Sequence, residues 1–120
     1  MAVTPVPEGF HTVTPYLTVV DASALIDFMT RAFGGTESRV MRRPDGSVWH
    51  ADVVIGGLHV MCGQAPDRSA TMPSMLYLYV PDADAAYRRA LASGATSISE
   101  PATQFYGNRH GAIRDCCGNA

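Results

Sequence analysis

The chain has 120 residues, is 47% hydrophobic and 17% charged, and carries a formal net charge of −2. That balance fits one packed domain and excludes a disordered or collagen-like chain. No block of like charge calls for nucleic acid or an anionic membrane, and all nine basic residues are arginine.

The cysteines are Cys62, Cys116 and Cys117, an odd number with two adjacent, so no disulfide framework is expected. Met1 is followed by neither a basic segment nor an apolar core of a secretory signal. The apolar runs are too short to span a bilayer, and the expected location is cytoplasmic.

In chain order, the first element is a short strand at about 14–20. Asp21 then suits a helix N-cap. Leu25, Ile26, Met29, Ala32 and Phe33 are spaced for one buried helical face, and Gly34-Gly35 can end that helix. Three strand-like runs follow, at 37–43, 47–55 and 58–63. They are separated by the turn Pro44-Asp45-Gly46 and by Gly56-Gly57.

Residues 65–74 read as a polar linker. The pattern then starts again. Tyr16-Leu17-Thr18-Val19-Val20-Asp21-Ala22-Ser23-Ala24 matches Tyr77-Leu78-Tyr79-Val80-Pro81-Asp82-Ala83-Asp84-Ala85 at six of nine positions, with a constant offset of 61. Internal repetition of this kind defines the architecture.

The second copy has a strand at 75–80, with Asp82 as cap. Its helix is expected to bury Ala86, Tyr87, Ala90 and Leu91 and to end at Gly94. Strands follow at 95–100 and 109–114. The fold class is therefore α+β: two βαβββ modules, about 12–64 and 75–120, form a curved mixed sheet with helices on its outer face. The offset puts the last strand of module two at 119–124, so that strand is expected to be truncated or supplied by a partner.

Alternation along the strands sorts their faces. Trp49, Ala51, Val53 and Ile55 are expected to face the core, and Val48, His50, Asp52 and Val54 the other side. The helix-free face then presents Thr14, Tyr16 and Thr18 from one module and Met75, Tyr77 and Tyr79 from the other. Tyrosine combines ring area with one hydroxyl, which suits a flat organic ligand.

The expected ligand-binding residues are Tyr16, Thr18, His50, Tyr77, Tyr79 and Arg109. His50 and Asp52 lie two apart on one face and are catalytic candidates as base and orienting carboxylate. The offset places His110 within one residue of the His50 position, which makes it a third candidate. His59 and Cys62 are three apart and point to opposite faces, so they do not share an ion. The competing reading of the same face is the solvated side of an antiparallel sheet.

Three stretches resemble the PhnB-like branch of the glyoxalase/bleomycin-resistance/dioxygenase (vicinal oxygen chelate) superfamily. They are HTVTPYLTVVDASALIDFMTRAFGG, RRPDGSVWHADVVIGG and LYLYVPDADAAYRRALASGA, and the tail YGNRHGAIRDCCGN looks like the family's closing pattern. The resemblance implies the paired-module fold and a homodimer, with strand or module exchange as one route to it.

In metal-using members the resemblance implies ligands from the first and last strands of each module. Those positions carry over to Thr14, Met75 and the neighbourhood of Met61, with the fourth beyond Ala120. This set lacks the family's His and Glu, so no metal or other cofactor is expected. The expected function is binding of a small organic ligand in a tyrosine-lined concave sheet. The alternative is a lyase, isomerase or dioxygenase that holds a divalent metal through an unusual set drawn from His50, His59, His110 or Asp52.

Overall fold

The computed structural model describes residues 5–120. Module one runs β1 (Tyr16–Val19), α1 (Ala22–Phe33), β2 (Thr36–Arg42), β3 (Val48–Ile55) and β4 (Leu58–Gln64). Module two runs α2 (Ala83–Ala92), β5 (Thr96–Thr103) and β6 (Arg109–Arg114), and a short 3-10 turn, Arg68–Ala70, lies in the connection. Among the described residues no helix is long and apolar enough to cross a membrane.

Module one forms a four-stranded sheet in the order β1-β4-β3-β2. β4 returns parallel to β1, with Tyr16 opposite Met61 and Thr18 opposite Gly63. It also pairs antiparallel with β3, with Asp52 opposite Met61. The strand is thus bonded on both sides and carries Val60 and Cys62 into the core.

α1 covers the same face. The Asp21 carboxylate accepts from the Ala24 N–H, and Gly34 closes the helix at φ +67°. Left-handed φ is free of side-chain strain only at glycine. Six of its residues are buried: Ala22, Leu25, Ile26, Phe28, Met29 and Ala32. Gly35 must stay small, because a Cβ there would sit 2.8 Å from Val53 Cγ1.

The alternation expected for β3 fails at its start. Val48 is fully buried, whereas Trp49 is 57% exposed and faces solvent instead of the core. The cause is a register shift. Met41 pairs with His50 but Arg42 pairs with Val48, so Trp49 is an extra residue on the β3 side. Such a bulge reverses the faces of the residues before it.

Module two repeats the plan but packs less. Asp82 caps α2 through the Ala85 N–H, as Asp21 does for α1. Only Ala90 of α2 is buried, and Leu91 is exposed, against the expectation of a buried Ala86, Tyr87, Ala90 and Leu91. β5 and β6 form a sheet of their own with two strands. Residues 75–79 alternate between exposed and half-buried, but residues 75–80 are not part of a ladder.

Among the described residues only Ala120 bonds to the backbone of residues 75–80. Strand conformation persists where both the backbone and one face are satisfied. Met75 has one parallel rung, made by Ala120: its N–H donates to Ser74 O at 2.9 Å and its carbonyl accepts from Leu76 N–H at 2.8 Å. That rung belongs to the expected position of the last strand, 119–124.

The two helices should therefore respond differently to truncation. Leu25→Ala is expected to cost about 3 kcal/mol, as a buried leucine does, and Leu91→Ala less than about 1 kcal/mol. Urea unfolding midpoints of the two variants check this difference.

Candidate functional site

The helix-free side of module one carries a half-open hollow of about 810 Å³. Its floor is the sheet, through Arg39, His50, Asp52 and Met61, with Thr14 just before β1. Its roof is the N-terminal arm, through Pro5, Pro7, Phe10 and His11. The arm bends at a turn in which Phe10 N–H donates to Pro7 O at 3.0 Å, with Gly9 at φ +85°. A glycine at the third position of such a turn permits the positive φ.

The Phe10 side chain anchors the arm. The Phe10 ring stacks on the His59 imidazole, with centroids 4.0 Å apart and planes at 24°. A Cβ on Gly9 would come within 3.2 Å of His59 Nε2, so the backbone approaches the ring closely.

His59 is also the partner of Asp52. Its Nδ1 donates to both carboxylate oxygens, at 2.9 and 2.7 Å. A carboxylate only accepts, so the bond assigns the proton to Nδ1. Asp52 is 5% exposed, and this pairing satisfies its buried oxygens. The expected pair of His50 with Asp52 is thus replaced by His59 with Asp52. The sequence separation of seven hides it, because the hairpin at Gly56-Gly57 folds β4 back beside β3.

His50 pairs with an aromatic ring instead. Its ring centroid lies 5.6 Å from that of Tyr16. Tyr16 lies over Gly63, where a Cβ would come within 2.6 Å of the hydroxyl and also of Trp49 O. The bare glycine therefore makes room for the tyrosine. Tyr16, His50, Arg39 and the bulged Trp49 border a second, smaller hollow beside the main cavity. Trp49 was missed in the sequence because strict alternation places it in the core. The register shift that exposes it depends on pairing with β2.

Module two contains an equivalent pair. Tyr77 stacks on His110 at 5.4 Å and 23°, and lies 5.2 Å from the Tyr79 ring. The offset of 61 that links Tyr16 to Tyr77 therefore reappears as two Tyr–His pairs, one per module. The structure keeps His50 and His110 in separate pairs. Tyr77 is held above the usual phenol range, first by partial burial and then by its contact with Tyr106.

Arg109 is engaged elsewhere. Its guanidinium donates to both Asp84 oxygens, at 2.6 and 3.1 Å, at the start of α2. That contact holds the Asp84 carboxyl below the usual carboxylate range. Thr18 lies on β1 beside Gly63 and bonds through its carbonyl to Met72 N–H at 3.1 Å.

The metal positions implied by family resemblance do not fit a divalent ion. The Thr14 hydroxyl donates to His11 O at 3.0 Å, and Met75 presents a thioether that is 81% exposed. Met61 adds a second thioether on the cavity floor. Among the described residues no three His, Cys, Asp or Glu side chains converge on one point.

The cysteines are not poised nucleophiles. Burial pushes Cys62 up to about 11, and burial followed by the neighbouring Cys116 pushes Cys117 up to about 12. Cys116 is exposed, and it too is raised, chiefly by desolvation. Thiolate is the reactive form, so all three are slow at neutral pH.

The fold agrees with the comparisons to known proteins. The profile of the Glyoxalase/Bleomycin resistance protein/Dioxygenase superfamily matches residues 9–120, and the chain belongs to that superfamily. The chain is 35% identical over 117 residues to Rv0887c of Mycobacterium tuberculosis strain H37Rv, covering 88% of this chain and 69% of that protein. It is equally similar to Mb0911c of Mycobacterium bovis, of which it covers 77%.

Among solved structures, TioX from Micromonospora sp. ML1 superposes with a TM-score of 0.74 at 24% identity, over 91% of this chain and 93% of that one. A PhnB protein from Bacillus cereus superposes with a TM-score of 0.70 at 17% identity, over 91% and 95%. At these identities the likeness shows the fold alone.

Two outcomes follow from the site. His59→Ala leaves the Asp52 carboxylate buried without its donor and is expected to cost about 3 kcal/mol in a denaturation series, with Asp52→Asn costing less. At pH 8 an alkylating reagent is expected to label Cys116 first in the folded protein. Cys62 becomes labelled only on unfolding, which peptide mass mapping checks.

Proposed function

We propose that this protein binds a flat small organic ligand on the helix-free face of module one, without the metal set of its metal-using relatives. The observation that carries this reading is the cavity of about 810 Å³ between the sheet and the N-terminal arm. That volume lies in the range of small-molecule sites. The roof is mainly proline and phenylalanine, and the floor offers a few polar groups, which is the usual composition of such sites.

Each floor group has a role in this reading. Arg39 supplies a planar pair of donors suited to a carboxylate or an acidic hydroxyl. His50 and Tyr16 supply ring faces and hydrogen-bonding edges. Asp52, oriented by His59, supplies an acceptor at the cavity wall. The Phe10 contact sets how far the arm closes over the ligand. Superfamily membership supports small-molecule recognition as a class, while the ligand's identity comes from this chain's own floor and roof.

The test is thermal unfolding of chelator-treated protein against a panel of flat aromatic carboxylates and phenols. Binding to the folded state alone raises the midpoint, by the equivalent of about 2.7 kcal/mol at a hundredfold excess over Kd. Tyr16→Ala and His50→Ala are expected to weaken the best compound at least about tenfold, since each removes ring contact or a polar partner. Ni²⁺, Zn²⁺, Fe²⁺, Mn²⁺ and Mg²⁺ are expected to leave the midpoint unchanged. An ion-selective rise would overturn the metal-free reading.

A further inference from the structure

Two irregularities interrupt the pairing of β2 with β3. Glu37 pairs with Val53 and Arg39 with Asp52, so Ser38 is an extra residue on β2. Met41 pairs with His50 and Arg42 with Val48, so Trp49 is an extra residue on β3. Consecutive residues of a regular strand point to opposite faces. Here Ser38 and Arg39 both line the main hollow, and Trp49 and His50 both border the smaller one. Each bulge therefore turns one more side chain toward the helix-free face, which is how bulges re-aim residues beside sites.

The smaller hollow measures about 240 Å³ and is bordered by Tyr16, Arg39, Met41, Trp49 and His50. Alone it falls below the usual size of a small-molecule site. It shares Arg39 and His50 with the main hollow of about 810 Å³, so the two are adjoining compartments of one site. Three of its five bordering side chains are rings, and those of Tyr16 and Trp49 are exposed. A flat ligand laid against them buries apolar area that the chain itself leaves open.

Arg39 stands where the compartments meet. It lies opposite Asp52 across the ladder, a position that favours an ion pair between opposite charges. Among the described residues, however, no ion pair includes Arg39. Asp52 is held at both oxygens by His59 Nδ1 instead, at 2.9 and 2.7 Å. Asp52 is also the one carboxylate among the described residues that line the main hollow. By holding Asp52, His59 leaves the guanidinium for an incoming anion.

A guanidinium presents a planar fork of donors that matches a carboxylate with two parallel bonds. Tyrosine and tryptophan rings recognise a flat π-system by stacking. Because Arg39 borders both compartments, a ligand that uses the fork and the rings together carries its acid close to its ring.

We infer that the ligand of this face is a planar aromatic acid, an assignment that rests on the small-molecule reading of module one. Its carboxylate pairs with Arg39, and its ring lies in the smaller hollow against Trp49 and Tyr16. Arg39 sets the demand for the acid, and Trp49 sets the demand for a flat ring.

The test titrates three probes into the full chain by calorimetry at pH 7. They are 2-naphthoic acid, its primary amide, which keeps the ring and loses the charge, and decahydro-2-naphthoic acid, which keeps the charge and loses the flat ring. The acid is expected to bind about tenfold more tightly than the amide. It is expected to bind about fivefold more tightly than the saturated acid. Arg39→Gln removes the first preference and keeps the second, and Trp49→Ala does the converse. Both side chains are exposed, so both variants are expected to fold like the parent. Trp49 is the single tryptophan of the chain, so its indole N–H gives one resonance, which is expected to shift as 2-naphthoic acid binds.

Equal affinity for acid and amide overturns the inference and leaves the binding of flat neutral compounds standing. So does an acid preference that survives Arg39→Gln, or acid binding that leaves the Trp49 resonance in place. Failure of 2-naphthoic acid to bind, while a neutral compound does, also overturns this inference alone. Failure of every flat compound, charged or neutral, at millimolar concentration overturns the ligand reading of module one together with it.

Discussion

A strand needs neighbours, and the arrangement of this molecule follows from how each module meets that need. In module one the chain returns as β4 into the space between β1 and β3. That single return closes the sheet, seals Val60 and Cys62 under α1, and brings β4's outward side chains beside those of β3. The pairing of His59 with Asp52, the seating of Tyr16 over Gly63 and the hold on Phe10 all depend on it. In module two, Ala120 bonds Ser74 and Leu76, and α2 buries only Ala90 among the described residues.

The site in module one combines a rigid floor with a covering arm. The floor is fixed by ladder hydrogen bonds and by a buried carboxylate whose oxygens are both satisfied. The arm is attached by local turns and by ring stacking, which are weaker than a ladder. Lifting of the arm therefore requires release of the Phe10 stacking on His59. Close positioning of polar groups comes from the sheet, and access comes from the arm.

Much of the frame could be read along the chain. The Asp caps, the Gly34-Gly35 stop, the Pro44-Asp45-Gly46 turn and the offset of 61 are local signals, and each acts within a few residues or by simple repetition. The tyrosines at Tyr16 and Tyr77 were found by the repeat, but that each would carry a histidine neighbour was not read from the sequence. Trp49 escaped because a bulge is created between two strands and leaves no mark in the one that carries it. Arg109 was expected near ligand, but the long side chain reaches Asp84 on α2.

The sequence by itself determined the helix boundaries and the turn positions, because these depend on near neighbours, and the resemblance of its motifs pointed to the superfamily. Only the tertiary structure decided which polar groups meet. It joined His59 to Asp52, set Arg109 on Asp84 and turned Trp49 outward, because hydrogen bonds and strand register act across space between residues distant in the chain.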